Sequence, residues 1–83
     1  MIHQVFSVYD SKSEEFSTPF FSKTLGMALR DFASACANPD SYLYKNPEDY
    51  TFFHLGSFDS DKAVFDIFST PVSVGLAVEF VEV

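Results

Sequence analysis

Apolar residues alternate through Ile2–Tyr9, with Ile2, Phe6 and Val8 on one parity and Val5 and Tyr9 on the other. The density of Val, Phe and Tyr predicts a first strand. Asp10-Ser11-Lys12-Ser13-Glu14 is a polar turn. Phe16–Phe21 predicts a short returning strand, and Pro19 confines it to an edge because proline cannot donate to a ladder. The period then changes. Leu25, Ala28, Leu29, Phe32 and Cys36 recur at three- and four-residue steps, the apolar stripe of a helix over Thr24–Ala37. Ser22 or Thr24 supplies an N-cap, and Asn38-Pro39 stops the helix. Pro39–Asp49 reads as a polar loop. Tyr50–Phe58 predicts a strand apolar on both faces, with Tyr50, Phe52, His54 and Phe58 alternating with Phe53 and Leu55. Asp59–Lys62 is a turn, Ala63–Phe68 completes a hairpin, and Pro71 is expected to break it. The apolar tail Val72–Val83 reads either as a last strand or as a strand offered to a partner, with Gly75 marking a bend.

The fold class these elements predict is α+β, as a single domain over residues 1–83. A small antiparallel sheet in the order β-β-α-β-β, with or without a C-terminal strand, carries one helix packed on one face. One helix cannot cover both faces of such a sheet. The uncovered face is expected to pair, most simply in a homodimer packed through sheet faces or edges.

Size points the same way. A chain of 83 residues buries only about 60% of its unfolded surface. Its 11 Phe and 4 Tyr help to fill a core and also leave apolar surface for a partner. Charge then narrows the partners. Twelve carboxylates against Lys12, Lys23, Arg30, Lys45 and Lys62 give a net charge of −7. Such a surface repels polyanions at long range, which argues against bulk electrostatic DNA binding. A local strip of cations and aromatics is still compatible with it, and so is an acidic protein that occupies a basic site on another protein.

Cys36 is the only cysteine, which excludes an internal disulfide and suits a reducing compartment. No apolar run is long enough to span a membrane, and Met1-Ile2-His3-Gln4 lacks a cationic signal-peptide start. A soluble, intracellular protein is therefore expected.

No nucleophile elbow, phosphate loop or paired-cysteine zinc signature occurs, so no catalytic residue, metal site or cofactor is assigned and an enzyme is not expected. His3 and His54 could share a metal with Asp66 only if the first and third strands brought them together. Asp59-Ser60-Asp61 lacks the glycine and glutamate of a calcium loop and reads as a solvated turn. Tyr9, Lys12, Phe20, Phe21 and Lys23 gather aromatics and cations around the first turn. Arg30, Tyr42, Tyr44 and Lys45 do so near the helix end. Stacking beside cations is how single-stranded nucleic acid is held without sequence readout, so these nine residues are the candidate binding set.

Two stretches also carry a resemblance. The first is Phe6-Ser7-Val8-Tyr9-Asp10-Ser11-Lys12, continued by Pro19-Phe20-Phe21 and Gly26-Met27-Ala28-Leu29-Arg30-Asp31-Phe32. The second is Asn46-Pro47-Glu48-Asp49-Tyr50-Thr51-Phe52-Phe53-His54-Leu55-Gly56, followed by Phe58-Asp59 and Pro71-Val72. Together they resemble the small non-structural protein of gokushovirus-type microviruses, which are single-stranded DNA phages. The resemblance implies an accessory protein made in the cytoplasm of the infected bacterium and absent from the mature virion. It implies a role in single-strand genome synthesis or packaging, with single-stranded DNA as partner. The competing expectation is an acidic interaction module that binds a replication, capsid, scaffold or host protein and does not touch DNA.

Overall fold

The computed structural model describes residues 1–81. Five strands form one antiparallel sheet: β1 (Ile2–Asp10), β2 (Glu15–Phe16), β3 (Phe20–Ser22), β4 (Tyr50–Asp59) and β5 (Val64–Leu76). The spatial order is β2-β1-β4-β5, and β3 pairs with β1 beside β2. With the helix α1 (Leu25–Ala37) packed on one face, this is the predicted α+β architecture.

The core lies between α1 and the sheet. Thr24 is the N-cap, its Oγ1 accepting from the Met27 N–H at 3.1 Å. Ala28, Phe32 and Cys36 are buried against Phe6 and Phe52. The Phe32 ring stacks on Phe52 at 4.6 Å, and Phe52 on Phe6 at 5.3 Å. Leu25, placed on the apolar stripe by its spacing, is exposed at the first helical position. The stretch Pro39–Asp49 is more ordered than a polar loop. It holds a short helix α2 (Tyr42–Lys45) and a 3₁₀ turn over Pro47–Asp49. The Ser41 hydroxyl caps α2 and Leu43 anchors it in the core.

Two inserted residues change which side chains share a face. Tyr9 stands opposite Phe16 but Phe6 opposite Phe20, so the returning segment takes up one extra residue around Thr18-Pro19. The predicted strand Phe16–Phe21 is thereby divided in two, and Phe16 and Phe20, equal in parity, face opposite sides. Pro19 lies in the unpaired stretch between β2 and β3 at the sheet edge, where its missing donor costs no ladder bond.

The second insertion is in β4. Val5 stands opposite Gly56 and Phe6 opposite His54, which leaves Leu55 as the extra residue of a bulge. Gly56 has φ +153°, and a Cβ there would fall on the Asp66 carbonyl oxygen and 2.7 Å from Ile67 Cα. Only glycine fits. His54 stacks on Phe6 at 4.9 Å, and its Nε2–H donates to the Gly56 carbonyl at 3.1 Å and to Gln4 Oε1 at 2.9 Å. The predicted common face of Tyr50, Phe52, His54 and Phe58 therefore fails at Phe58, which the bulge turns to the side away from the helix.

Pro71 does not break β5. Four residues, Phe68 to Pro71, stand opposite Leu55 between the pairs Gly56–Ile67 and His54–Val72. Pro71 sits in that unpaired stretch of an outer strand, the place where proline is tolerated. Val72–Leu76 then pairs with β4 again, so it is not a separate strand. The tail turns through a 3₁₀ segment, Ala77–Glu79, buries Ala77, and sets the Phe80 ring edge-on to Phe32 at 5.6 Å. Tail residues 72–81 are thus paired within the chain or turned back onto its core. Residues 82 and 83 of the predicted last strand lie outside the described residues.

Candidate functional site

Pairing in an antiparallel sheet puts directly opposed residues on one side. The side away from α1 accordingly carries His3, Val5, Ser7 and Tyr9 of β1, with Phe58, Gly56, Phe53 and Thr51 facing them from β4. Phe16 and Phe21 join from the first edge, Phe65 and Ile67 from β5.

The aromatics of this open face fall into two clusters. Tyr9, Phe16 and Phe53 lie within 4.9–6.4 Å of one another, ring centre to ring centre. Phe21, Phe58 and Phe65 lie within 4.6–6.3 Å. His3, Phe21 and Phe58 line a shallow depression of about 210 Å³ between them. Phe16, Phe21 and Phe65 are 46%, 49% and 54% exposed. Val5 and Ser7, at the centre of the face, are buried, and the Ser7 hydroxyl donates to the Ser17 carbonyl at 2.8 Å. By register the clusters sit at residues 7–9 and 3–5 of β1, centred four residues apart, about 13 Å at ~3.3 Å per residue.

The nine candidate residues do not form one surface. Tyr9 and Phe21 are on the open face, one in each cluster. Lys12 lies in the turn after Tyr9, where its N–H donates to Asp10 Oδ1 at 2.9 Å. Lys23 follows Phe21 at the end of β3. Phe20 stacks on Phe6 at 6.0 Å and Phe52 at 5.9 Å, on the helix side, so it is a core ring and no platform for a base. Arg30 is on α1, and Tyr42, Tyr44 and Lys45 are on α2. The sequence reading missed Phe16, Phe53, Phe58 and Phe65. The first two follow from strand alternation, but the placing of Phe58 required the bulge at Gly56.

The five cations are exposed, and none forms an ion pair among the described residues. They sit in turns at both ends of the sheet and on both helices. His3 and His54 are on opposite faces, which removes the shared metal site; among the described residues no metal-binding group of three ligands occurs. Asp59 and Asp61 instead flank the Met1 amino group, 3.8 and 2.8 Å away, and this ammonium lowers the Asp61 carboxyl below its usual value. Among the described residues no helix is long and apolar enough to cross a membrane.

A family model described as Phage ORF5 protein matches residues 3–80. No curated protein and no solved structure gives a significant match.

Proposed function

The chain belongs to the Phage ORF5 protein family, and from that premise we propose that it supports single-stranded DNA genome synthesis or packaging. It does so by holding single-stranded DNA weakly and without sequence preference. The observation that carries this reading is the open aromatic face. A sheet with one side covered by a helix and the other lined by half-exposed rings supplies platforms on which any base can stack, each worth about 1–3 kcal/mol. Two clusters centred about 13 Å apart along β1 suit a strand laid along the face rather than a single base in a pocket. Lys12 follows Tyr9 by three residues, Lys23 follows Phe21 by two, and Lys62 lies in the turn between Phe58 and Phe65, placing a cation near each cluster for contact with passing phosphates. The resemblance to gokushovirus-type proteins supports the same partner and the cytoplasm of the infected bacterium as the place of action.

The competing reading is an acidic interaction module. Twelve carboxylates and the dispersal of the five cations favour it. The outer edge of β5, exposed from Val64 to Ser73, is where a second copy or another protein would add a strand.

Fluorescence anisotropy of a labelled single-stranded oligonucleotide at roughly 50 and 200 mM salt separates the two. Saturable binding that weakens at the higher salt supports the DNA reading. No binding at the lower salt overturns it and leaves the interaction module.

A further inference from the structure

On the helix side, a cleft of about 340 Å³ opens between α2 and the ends of β1 and β2. Its walls are Tyr42, Tyr50, Phe16 and Val8, and its polar groups include Asp10 and Glu15. Among the described residues no lysine or arginine lines it.

Three features define what such a cleft can hold. Asp10 and Glu15 are directly opposed across β1 and β2, a like-charge pair that destabilises a sheet unless something lies between or over it. Tyr42 is 60% exposed and its ring is tilted 56° to that of Tyr50, with the ring centres 5.2 Å apart. Two electron-rich tyrosine rings therefore line the same cleft as the two carboxylates. Ring faces attract cations, carboxylates attract cations, and both repel phosphate. The Tyr50 hydroxyl is pushed up by burial and then by the Asp10 carboxylate, so the ring stays un-ionised at neutral pH while the negative charge stays on the carboxylates.

We propose that this cleft receives an arginine side chain from a basic segment of a partner protein. Guanidinium is favoured over ammonium because it is planar, stacks on aromatic rings and can bridge two carboxylate oxygens at once. The cleft opens on the helix side, and of the open-face cluster residues only Phe16 also borders it, so the inference does not depend on DNA binding. A chain with both would couple a basic protein to a nucleic acid strand, and a chain with the cleft alone would be an acidic adaptor.

The probe is a capped arginine hexapeptide titrated into the ¹⁵N-labelled protein, with amide shifts read residue by residue. Shifts are expected at Asp10, Glu15, Tyr42 and Tyr50. The double variant Asp10→Asn, Glu15→Gln should lose about tenfold in affinity, 1.4 kcal/mol. Asn keeps the acceptor for the Lys12 N–H and the opposed charges disappear, so the fold is expected to persist. Tyr42→Ala, at an exposed position, should lose a similar factor. The control Asp31→Asn, Asp40→Asn changes net charge equally, away from the cleft, and should stay within about twofold. Equal losses in cleft and control variants would mean diffuse attraction to an acidic surface and would overturn the proposal. So would shifts spread over the whole chain, or equal binding of a capped serine hexapeptide.

Discussion

Phe52 and Phe58 have the same parity along β4, yet Phe52 stacks on Phe32 beneath the helix and Phe58 stands opposite His3 on the open face. The inserted Leu55 and the glycine after it make that reversal. Without it, Phe58 would point towards the helix side, and the cluster with Phe21 and Phe65 could not form. The bulge is thus what gives the open face its second aromatic platform.

Gly56→Ala is the direct test of that dependence. Its Cβ would meet backbone atoms of Asp66 and Ile67, which cannot swing aside like a flexible side chain. The expected cost is about 2 kcal/mol or more, read as a lower urea midpoint. Gly26 is the contrast. It lies in α1, and a Cβ there would meet nothing closer than Thr24 Oγ1 at 3.9 Å. Gly26→Ala should stabilise by about 0.4–1 kcal/mol, because alanine narrows the unfolded ensemble and favours the helix. Two glycine-to-alanine changes of opposite sign would locate the strain in the bulge.

The main helix and the long strands were legible in the sequence; the short helix α2, expected as loop, and the faces beyond the bulges were not. The helix follows from five apolar residues at helical spacing and a threonine cap, and it lies where expected. β1 and β4 follow from runs of Val, Phe and Tyr. Parity then misassigned Phe58 because a bulge adds a residue without any change in composition. Gly56 was the one visible signal, since glycine inside a strand marks a bulge or a close backbone approach. Pro71 misled in the opposite sense, because an outer strand with an unpaired stretch accepts it. The candidate set mixed Tyr9 and Phe21 with Phe20 for a related reason: adjacent strand residues face opposite ways, and nearness in sequence says nothing about a shared surface.

Stacking makes a prediction for the open face. Phe65→Ala and Phe16→Ala each remove a half-exposed ring, one from each cluster. Each should weaken single-strand binding by about 5- to 150-fold, the equivalent of one lost stacking contact. Phe20→Ala should instead lower stability, since its ring packs on Phe6 and Phe52. Anisotropy titrations paired with urea melts separate the two effects. Unchanged affinity in both Phe65→Ala and Phe16→Ala would remove the face as a binding surface.

The cations divide in the same way. Lys12→Glu and Lys23→Glu should weaken DNA binding with little loss of stability, because both side chains are exposed and unpaired among the described residues. Arg30→Glu and Lys45→Glu, on the two helices, should leave it within about twofold. With Lys12, Lys23 and Lys62 as the contributing charges, the log–log salt slope should not exceed about 2, at ~0.7 per phosphate. A steeper slope would require Arg30 or Lys45 to take part and would move the strand off the sheet face.

Cys36 carries the last prediction. Its side chain is buried beneath α1 beside Phe32, and burial pushes the thiol up to about 11, from 9.0. The thiolate is the reactive form, so at pH 8 only about one molecule in a thousand carries it in the folded state, and access is closed as well. Alkylation by iodoacetamide at pH 8 should be far slower in the native protein than in urea. The same shift sets a pH dependence of stability. The folded state holds its proton more tightly than the unfolded state, so the stabilisation is complete below pH 9. It declines as the unfolded thiol ionises, and the loss levels off once pH passes 11. Cys36→Ser would put a hydroxyl at this position and should cost about 1–3 kcal/mol, while Cys36→Ala keeps the site apolar and should cost less. If iodoacetamide modified native Cys36 as fast as the unfolded chain, α1 would open readily from the sheet.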